Sequence, residues 1–392
     1  MIFNGVIEQL DIQTSHKGKL KDLTFVAKDL LDIKGLVTGG GNPDWKRTHA
    51  LATNNCPALQ ALLDEGAHLL GKSLTDELAF SLDGLNVHYP VAHNPNFPGC
   101  ITGGSSSGSA SAVANNFCDF ALGTDTAGSV RVPSAYCGIY GMRPSHGRIS
   151  LEGTIPLGTT FDTIGFMSKS LDLLNQVGSV LLRQDKQAPQ MRQIRLAEDC
   201  LSILDQSWHR SFLEKWSAVS NLNSQFGFAA NKKIELKSDL DSFSELFNYA
   251  RGFEAWKAHG EWFEQTNPNM SASIKQRFLS CRNISENDYQ SALTRRAESI
   301  KSIHKKLNGT FLFLPTVRSK PPSVNASEDE LLQNRKANIL LNSLASFCGL
   351  PQISLPYKHK EKKFAFSLVG PYGSDMQLLA LARFIENKDI LD

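Results

Sequence analysis

The stretch Gly103–Arg131, GGSSSGSASAVANNFCDFALGTDTAGSVR, decides how the rest of the chain is read. Two segments rich in glycine and hydroxyl side chains, 103–108 and 123–129, flank it. Between them, Ser107 to Ala114 is built from small residues and opens a helix able to lie close against a sheet. FCDFALGTD at 117–125 reads as a strand running into the second glycine loop. Strands and helices that alternate across glycine-rich crossings indicate an α/β layer around a largely parallel core sheet.

The neighbouring segments extend that layer. TFVAK at 24–28 and residues 33–38 read as short strands around a turn. PALQALLDEG at 57–66 reads as a helix, with Pro57 in its first turn and Gly66 as its stop. HLLGKS at 68–73 returns as a strand. From Asp205 to about Leu307 the pattern turns helical: Trp208, Phe212 and Trp216 recur at helical spacing, as do Phe243, Leu246, Phe247, Phe253, Trp256 and Trp262. Strands resume at 310–315, 352–355 and 364–369, and KHKEKK at 358–363 reads as a solvated hairpin turn. With no linker or internal repeat, the expectation is one domain over 1–392, in which 205–310 forms a helix-rich cover.

Bulk properties narrow the function classes. The 392 residues carry a net charge of +2, which gives no reason to expect nucleic acid or an anionic membrane as a partner. MIFNGVIEQLDIQTSHKG lacks the basic and apolar regions of a secretory signal, and no apolar run approaches the roughly 20 residues that span a bilayer. The seven cysteines are scattered, without C-x-x-C or zinc-finger spacing, so the expectation is a reduced, cytoplasmic protein without metal or cofactor.

Three motifs compete for the chemistry. GAHLLGKS at 66–73 satisfies the Walker A pattern with Lys72, but a helix precedes it and strand-like residues fill it, the reverse of a phosphate cradle. Gly104-Ser105-Ser106-Ser107-Gly108 matches a nucleophile elbow centred on Ser106. That elbow needs an acid and then a histidine downstream, and His209, His259, His304 and His359 all lack a distinctive setting. The third reading joins Lys28, Ser105 and Ser129. A serine nucleophile needs a base, and a lysine can be one only when neutral, as burial can make it. Lys28 follows Phe25, Val26 and Ala27 at a strand end, which suits partial burial; a solvated lysine paired with Asp29 is the bland alternative. Thr126, Ala127, Gly128 and Ser129 offer successive backbone N–H groups, as an oxyanion hole requires, or form an ordinary tight turn.

KDLLDIKG (28–35), GKSLTDELAFSLDG (71–84), GGSSSGSASAVA (103–114), GTDTAGSVRVPSAYCGIYGMRPSHGRIS (123–150), FDTIGF (161–166) and FLPTV (313–317) together resemble the amidase signature family. The resemblance implies an amidase-signature fold and a Ser–cis-Ser–Lys triad. Ser129 would be the nucleophile, Ser105 the relay after a cis peptide bond, and Lys28 the base. The N–H groups of Thr126, Ala127, Gly128 and Ser129 would hold the oxyanion, and Ser106, Asp125 and Arg131 would brace the loops. Ala127 departs from the family, where glycine is common. DELAFSLDGLNVHY (76–89), RPSHGRIS (143–150) and LAEDC (196–200) are most similar to the group that includes plant indole-3-acetamide hydrolases and related bacterial amidases. The implied activity is cleavage of a small aryl- or alkyl-acetamide to carboxylate and ammonia. Carbamate or allophanate hydrolysis, an amidotransferase subunit and a disabled binding scaffold stand as alternatives. Phe253, Trp256 and Trp262 either line an aromatic pocket or pack the core, and a homodimer is left open.

Overall fold

The computed structural model describes residues 3–182, 190–225, 233–359 and 361–391. Eleven strands form one sheet: β1 (Val6–Ile12), β2 (Thr24–Lys28), β3 (His68–Ser73), β4 (Phe120–Asp125), β5 (Tyr140–Arg143), β6 (Thr163–Ser168), β7 (Gln193–Ala197), β8 (Lys233–Ile234), β9 (Thr310–Pro315), β10 (Gln352–His359) and β11 (Lys362–Val369). Their order is β1-β3-β2-β4-β6-β5-β10-β11-β9-β7-β8. The α/β class is as the sequence implies, but the sheet is mixed and its core is not the largely parallel one expected. Parallel pairs are confined to β3-β2-β4 and β9-β7-β8, where helices make the crossovers. The centre, β4-β6-β5-β10-β11-β9, is antiparallel throughout.

Strand alternation assigns the helices to the two faces. Phe25, Ala27, Phe120 and Leu122 pack with Leu59, Leu174 and Leu378, from the helices Pro57–Asp64, Leu171–Leu181 and Asp375–Glu386. Val26 and Ala121, one residue out of phase, pack with Ala110, Val113 and Val130 on the opposite face. Lys28 is in phase with Val26, so β2 delivers it to the face that carries the helix Ser107–Ala114.

That helix is buried at all eight positions and lies directly on the sheet. Its hydroxyls are satisfied by the strands: Ser109 Oγ donates to Leu122 O at 2.8 Å and lies 2.8 Å from Ser73 Oγ. A side chain at Gly108 would put its Cβ 2.3 Å from both Leu74 N and Gly5 O, so only glycine allows this approach.

The helical stretch after Asp205 divides. The helix Gln206–Gln225 packs Phe212 and Val219 onto the first face, against Phe313. The helices Lys237–Thr266 and Glu328–Cys348 cover the second, packing Phe247 and Leu341 against Leu312 and Leu314. Residues 226–232, within the expected cover, lie outside the described residues. Residues 33–38 are a turn rather than a strand, closed by Gly35 N to Ala52 O at 2.8 Å and by Leu36 N to Ile33 O at 3.0 Å. At 358–363 the β10–β11 ladder pairs Lys358 with Lys363 and His359 with Lys362. Residue 360, at its tip, is outside the described residues.

Candidate active site

Lys28 ends β2 with its side chain wholly buried. Its Nζ lies 2.7 Å from Ser105 Oγ and 2.9 Å from Thr124 Oγ1, donating to both. The Asp29 carboxylate, its expected partner in the bland reading, is engaged elsewhere, by Gly39 N at 3.0 Å and Lys72 Nζ at 3.1 Å. Burial lowers the Lys28 pKa to about 7, against the pull of the Asp76, Asp125 and Asp162 charges. Near neutral pH a substantial fraction of this amine is uncharged.

Ser105 sits on the first glycine loop, and the Gly104–Ser105 peptide bond is cis. The loop is fixed by Gly104 N to Leu82 O at 2.8 Å and by Asp76 N to Ser105 O at 3.1 Å. A Cβ at Gly104 would stand 2.5 Å from Asp76 Oδ2, so glycine is required beside this carboxylate. Burial, and then the nearby Asp83 charge, raise the Asp76 pKa, so it tends to hold a proton.

Ser106 is not exposed on an elbow. Its Oγ donates to Thr124 O at 3.2 Å, and its N–H donates to Ser129 O at 3.2 Å, which ties the two loops together. Among the described side chains no downstream histidine reaches it: His146 Nε2 lies against Thr159 O, His259 Nε2 against Pro156 O and His209 Nε2 against Leu204 O, while His304 stacks near Tyr372. The His359 side chain lies outside the described residues. The Walker A reading is also overturned. GAHLLGKS runs into β3, and Lys72 is buried, paired with Asp29 and donating to Val37 O at 2.5 Å.

The second loop is organised by Asp125. Its carboxylate accepts the N–H groups of Gly128 at 2.9 Å, Val130 at 3.0 Å and Arg131 at 3.3 Å. The Arg131 guanidinium grips it with Nε at 2.9 Å and a second nitrogen at 2.6 Å. The buried Arg131 and Arg143 hold its pKa well below the usual carboxylate range despite burial. The expected set of four N–H donors is therefore reduced, because that of Gly128 is committed to Asp125. Those of Thr126, Ala127 and Ser129 have no acceptor among the described residues. Arg143 and Asp162 were not in the sequence-based set: Arg143 donates to Asp125 O at 2.5 Å, and Asp162 accepts the Thr126 hydroxyl at 2.5 Å.

Ser129, Ala127 and Thr126 line a compact pocket of about 30 Å³ that Phe80, Leu157 and Ile339 also border. The helical region contributes Arg251 and Arg277 to it, not aromatics. Phe253 stacks on Tyr289, Trp262 packs against Trp45 and Trp256 against Phe263. Among the described residues no His, Cys, Asp and Glu group could hold a metal ion, and no helix is long and apolar enough to cross a membrane.

The family model described as Amidase matches residues 7–207, just over half of the chain. The chain is 38% identical to Amidase 1 of Oryza sativa subsp. japonica, over 93% of this chain and 90% of that protein. It belongs to the amidase family. Amidase 1 of Arabidopsis thaliana is 35% identical, over 97% of each chain, and the chloroplastic outer envelope protein 64 of the same plant is 34% identical, over 92% of this chain and 65% of its own length. A solved amidase superposes with a TM-score of 0.84 at 28% identity, covering 95% of this chain and 86% of that one. This amidase is a hydrolase acting on amide C–N bonds.

Proposed function

We propose that the chain hydrolyses a small carboxylic amide to carboxylate and ammonia, through an acyl-enzyme on Ser129. Neutral Lys28 accepts the Ser105 proton while Ser105 accepts that of Ser129, and Ser129 Oγ attacks the amide carbon. The oxyanion is held by N–H groups from Thr126, Ala127 and Ser129, fixed by the loop that Asp125 organises. The proton returns along the same path to the departing nitrogen as the C–N bond breaks. Water, deprotonated by the same route, then attacks the ester and releases the carboxylate and Ser129.

The observation that carries this reading is the Lys28–Ser105 contact of 2.7 Å, in which a buried lysine with lowered pKa meets two hydroxyls and no carboxylate. Such a lysine is poised to exchange a proton, and its relay serine sits on a loop bonded to the one bearing Ser129. An aryl- or alkyl-acetamide substrate rests on the family resemblance. The test is ammonia release from a panel of short amides by wild type and Ser129→Ala, with folding checked by circular dichroism. Release that persists in a folded Ser129→Ala would remove Ser129 from the mechanism.

A further inference from the structure

The pocket at Ser129 is bordered by three guanidinium groups, those of Arg251, Arg277 and Arg335. They come from three helices, Lys237–Thr266, Ala272–Cys281 and Glu328–Cys348. Among the described residues their one ion-pair partner is Asp83, 2.9 Å from Arg335 and 3.9 Å from Arg277. Arg251 has no carboxylate partner there. It is stacked over Phe80 and Phe247 at 5.2 and 4.8 Å and donates to Asn248 Oδ1 at 2.9 Å.

Nearby acids offset this charge only in part. Asp76 tends to hold a proton, and Asp162, whose charge reaches Arg251, spends its oxygens on the Thr126 hydroxyl and the N–H groups of Leu157 and Gly158 rather than on a guanidinium. The buried Nε–H groups of Arg251 and Arg277 find no acceptor among the described residues. The guanidiniums also repel one another, and this, after burial, pulls Arg251 and Arg277 down to about 10. The three guanidiniums thus have one ion-pairing carboxylate, Asp83, among the described residues, and they gather beside the candidate nucleophile. Charges gathered at such a cost in desolvation and repulsion call for an anion to complete them.

We propose that the amide cleaved at Ser129 carries a carboxylate of its own, as a short monoamide of a dicarboxylic acid does, and that Arg251, Arg277 and Arg335 bind that carboxylate. This rests on the amide-hydrolase reading of Ser129. Planar guanidiniums bind a carboxylate through paired N–H donors, which fixes direction as well as affinity. Phe80, Arg251 and Arg277 also border a wider pocket of about 300 Å³, so the arginines stand between the compact site and an outer chamber. A substrate entering from that chamber meets them first, and its anionic end is held there while the amide reaches Ser129.

The test uses the intact chain and measures ammonia release from succinamate and from its neutral isostere 4-oxopentanamide. The expected result is a kcat/KM about 10- to 100-fold higher for succinamate, the size of one or two charge-assisted hydrogen bonds. That ratio should collapse towards one in Arg277→Gln and in Arg251→Gln. Equal or poorer turnover of succinamate, or a ratio that neither variant changes, overturns the proposal while leaving the hydrolase reading intact. A second arm titrates malonamate, succinamate and glutaramate calorimetrically into Ser129→Ala. Saturable binding of one of them is expected, and no binding at millimolar concentration overturns the anion site. Binding alongside a wild type that cleaves no amide keeps the anion site and removes the hydrolase reading.

Discussion

Two buried lysines on adjacent strands make opposite use of the same side chain. Lys28 ends β2 and Lys72 lies in β3, in register with Ala27. Both are essentially inaccessible, at 0% and 1% exposure, so burial alone does not separate them. Their partners do. Lys72 meets the Asp29 carboxylate and a backbone carbonyl, which compensate a cation. Lys28 meets two hydroxyls, which solvate an ammonium poorly but suit a neutral amine. The ion-paired lysine holds the sheet to the turn after β2, and the uncompensated one is free to exchange a proton. The sequence motif that advertises a functional lysine, GAHLLGKS, points to the ion-paired one of the two.

Substitutions can break this contrast. Lys28→Met should lower kcat about 100- to 10,000-fold, the range for loss of a positioned base, with the fold retained. Near-normal turnover of a small amide would reduce Lys28 to a structural residue. Lys72→Met should instead cost stability, about 3–5 kcal/mol, because it strands a buried carboxylate. Burial already raises the Asp29 pKa, so the unpaired acid should take a proton at low pH. The lost stability should therefore be greater at pH 8 than at pH 5, as read from denaturant midpoints.

The pH dependence sharpens the comparison further. With Lys28 near 7, kcat/KM should rise about tenfold per unit below that value and level off above it. A flat profile from pH 5 to 8 would mean the titrating base lies elsewhere. Stability carries the complementary sign. The folded state binds fewer protons at Lys28 than the unfolded state between about 7 and the ordinary 10.5, so the cost of burying it is full below 7 and fades towards 10.5. Any stability advantage of Lys28→Met should thus shrink as pH rises through that window. The smallest effect is expected from Asp76→Asn. Asp76 already tends to hold a proton, so removing the rest of its pull on Lys28 should move the rising limb of the rate profile only slightly, to lower pH.

Much of this was legible in the sequence because it is local. The glycine loops around Ser105 and Ser129, the strand end at Lys28 and the small-residue helix between the loops each carry their signal within a dozen residues. The strands β5 and β6 were not, since they are buried on both faces and show no alternation. The turn at 33–38 looks strand-like from its apolar residues, and only its pairing with Ala52 shows otherwise. The commitment of the Gly128 N–H to Asp125 depends on where one carboxylate points, which no spacing encodes. The Arg251, Arg277 and Arg335 cluster is more distant still, since three helices bring it together and each arginine alone reads as an ordinary solvated one.

Activation of Ser129 through Ser105 by Lys28 can be tested without knowledge of the substrate, by intact mass after treatment with a small fluorophosphonate. One adduct is expected on wild type, none on Ser129→Ala, and adduct formation slowed by orders of magnitude in Lys28→Met. An adduct that persists on a folded Ser129→Ala, or that forms at the wild-type rate in Lys28→Met, would contradict it.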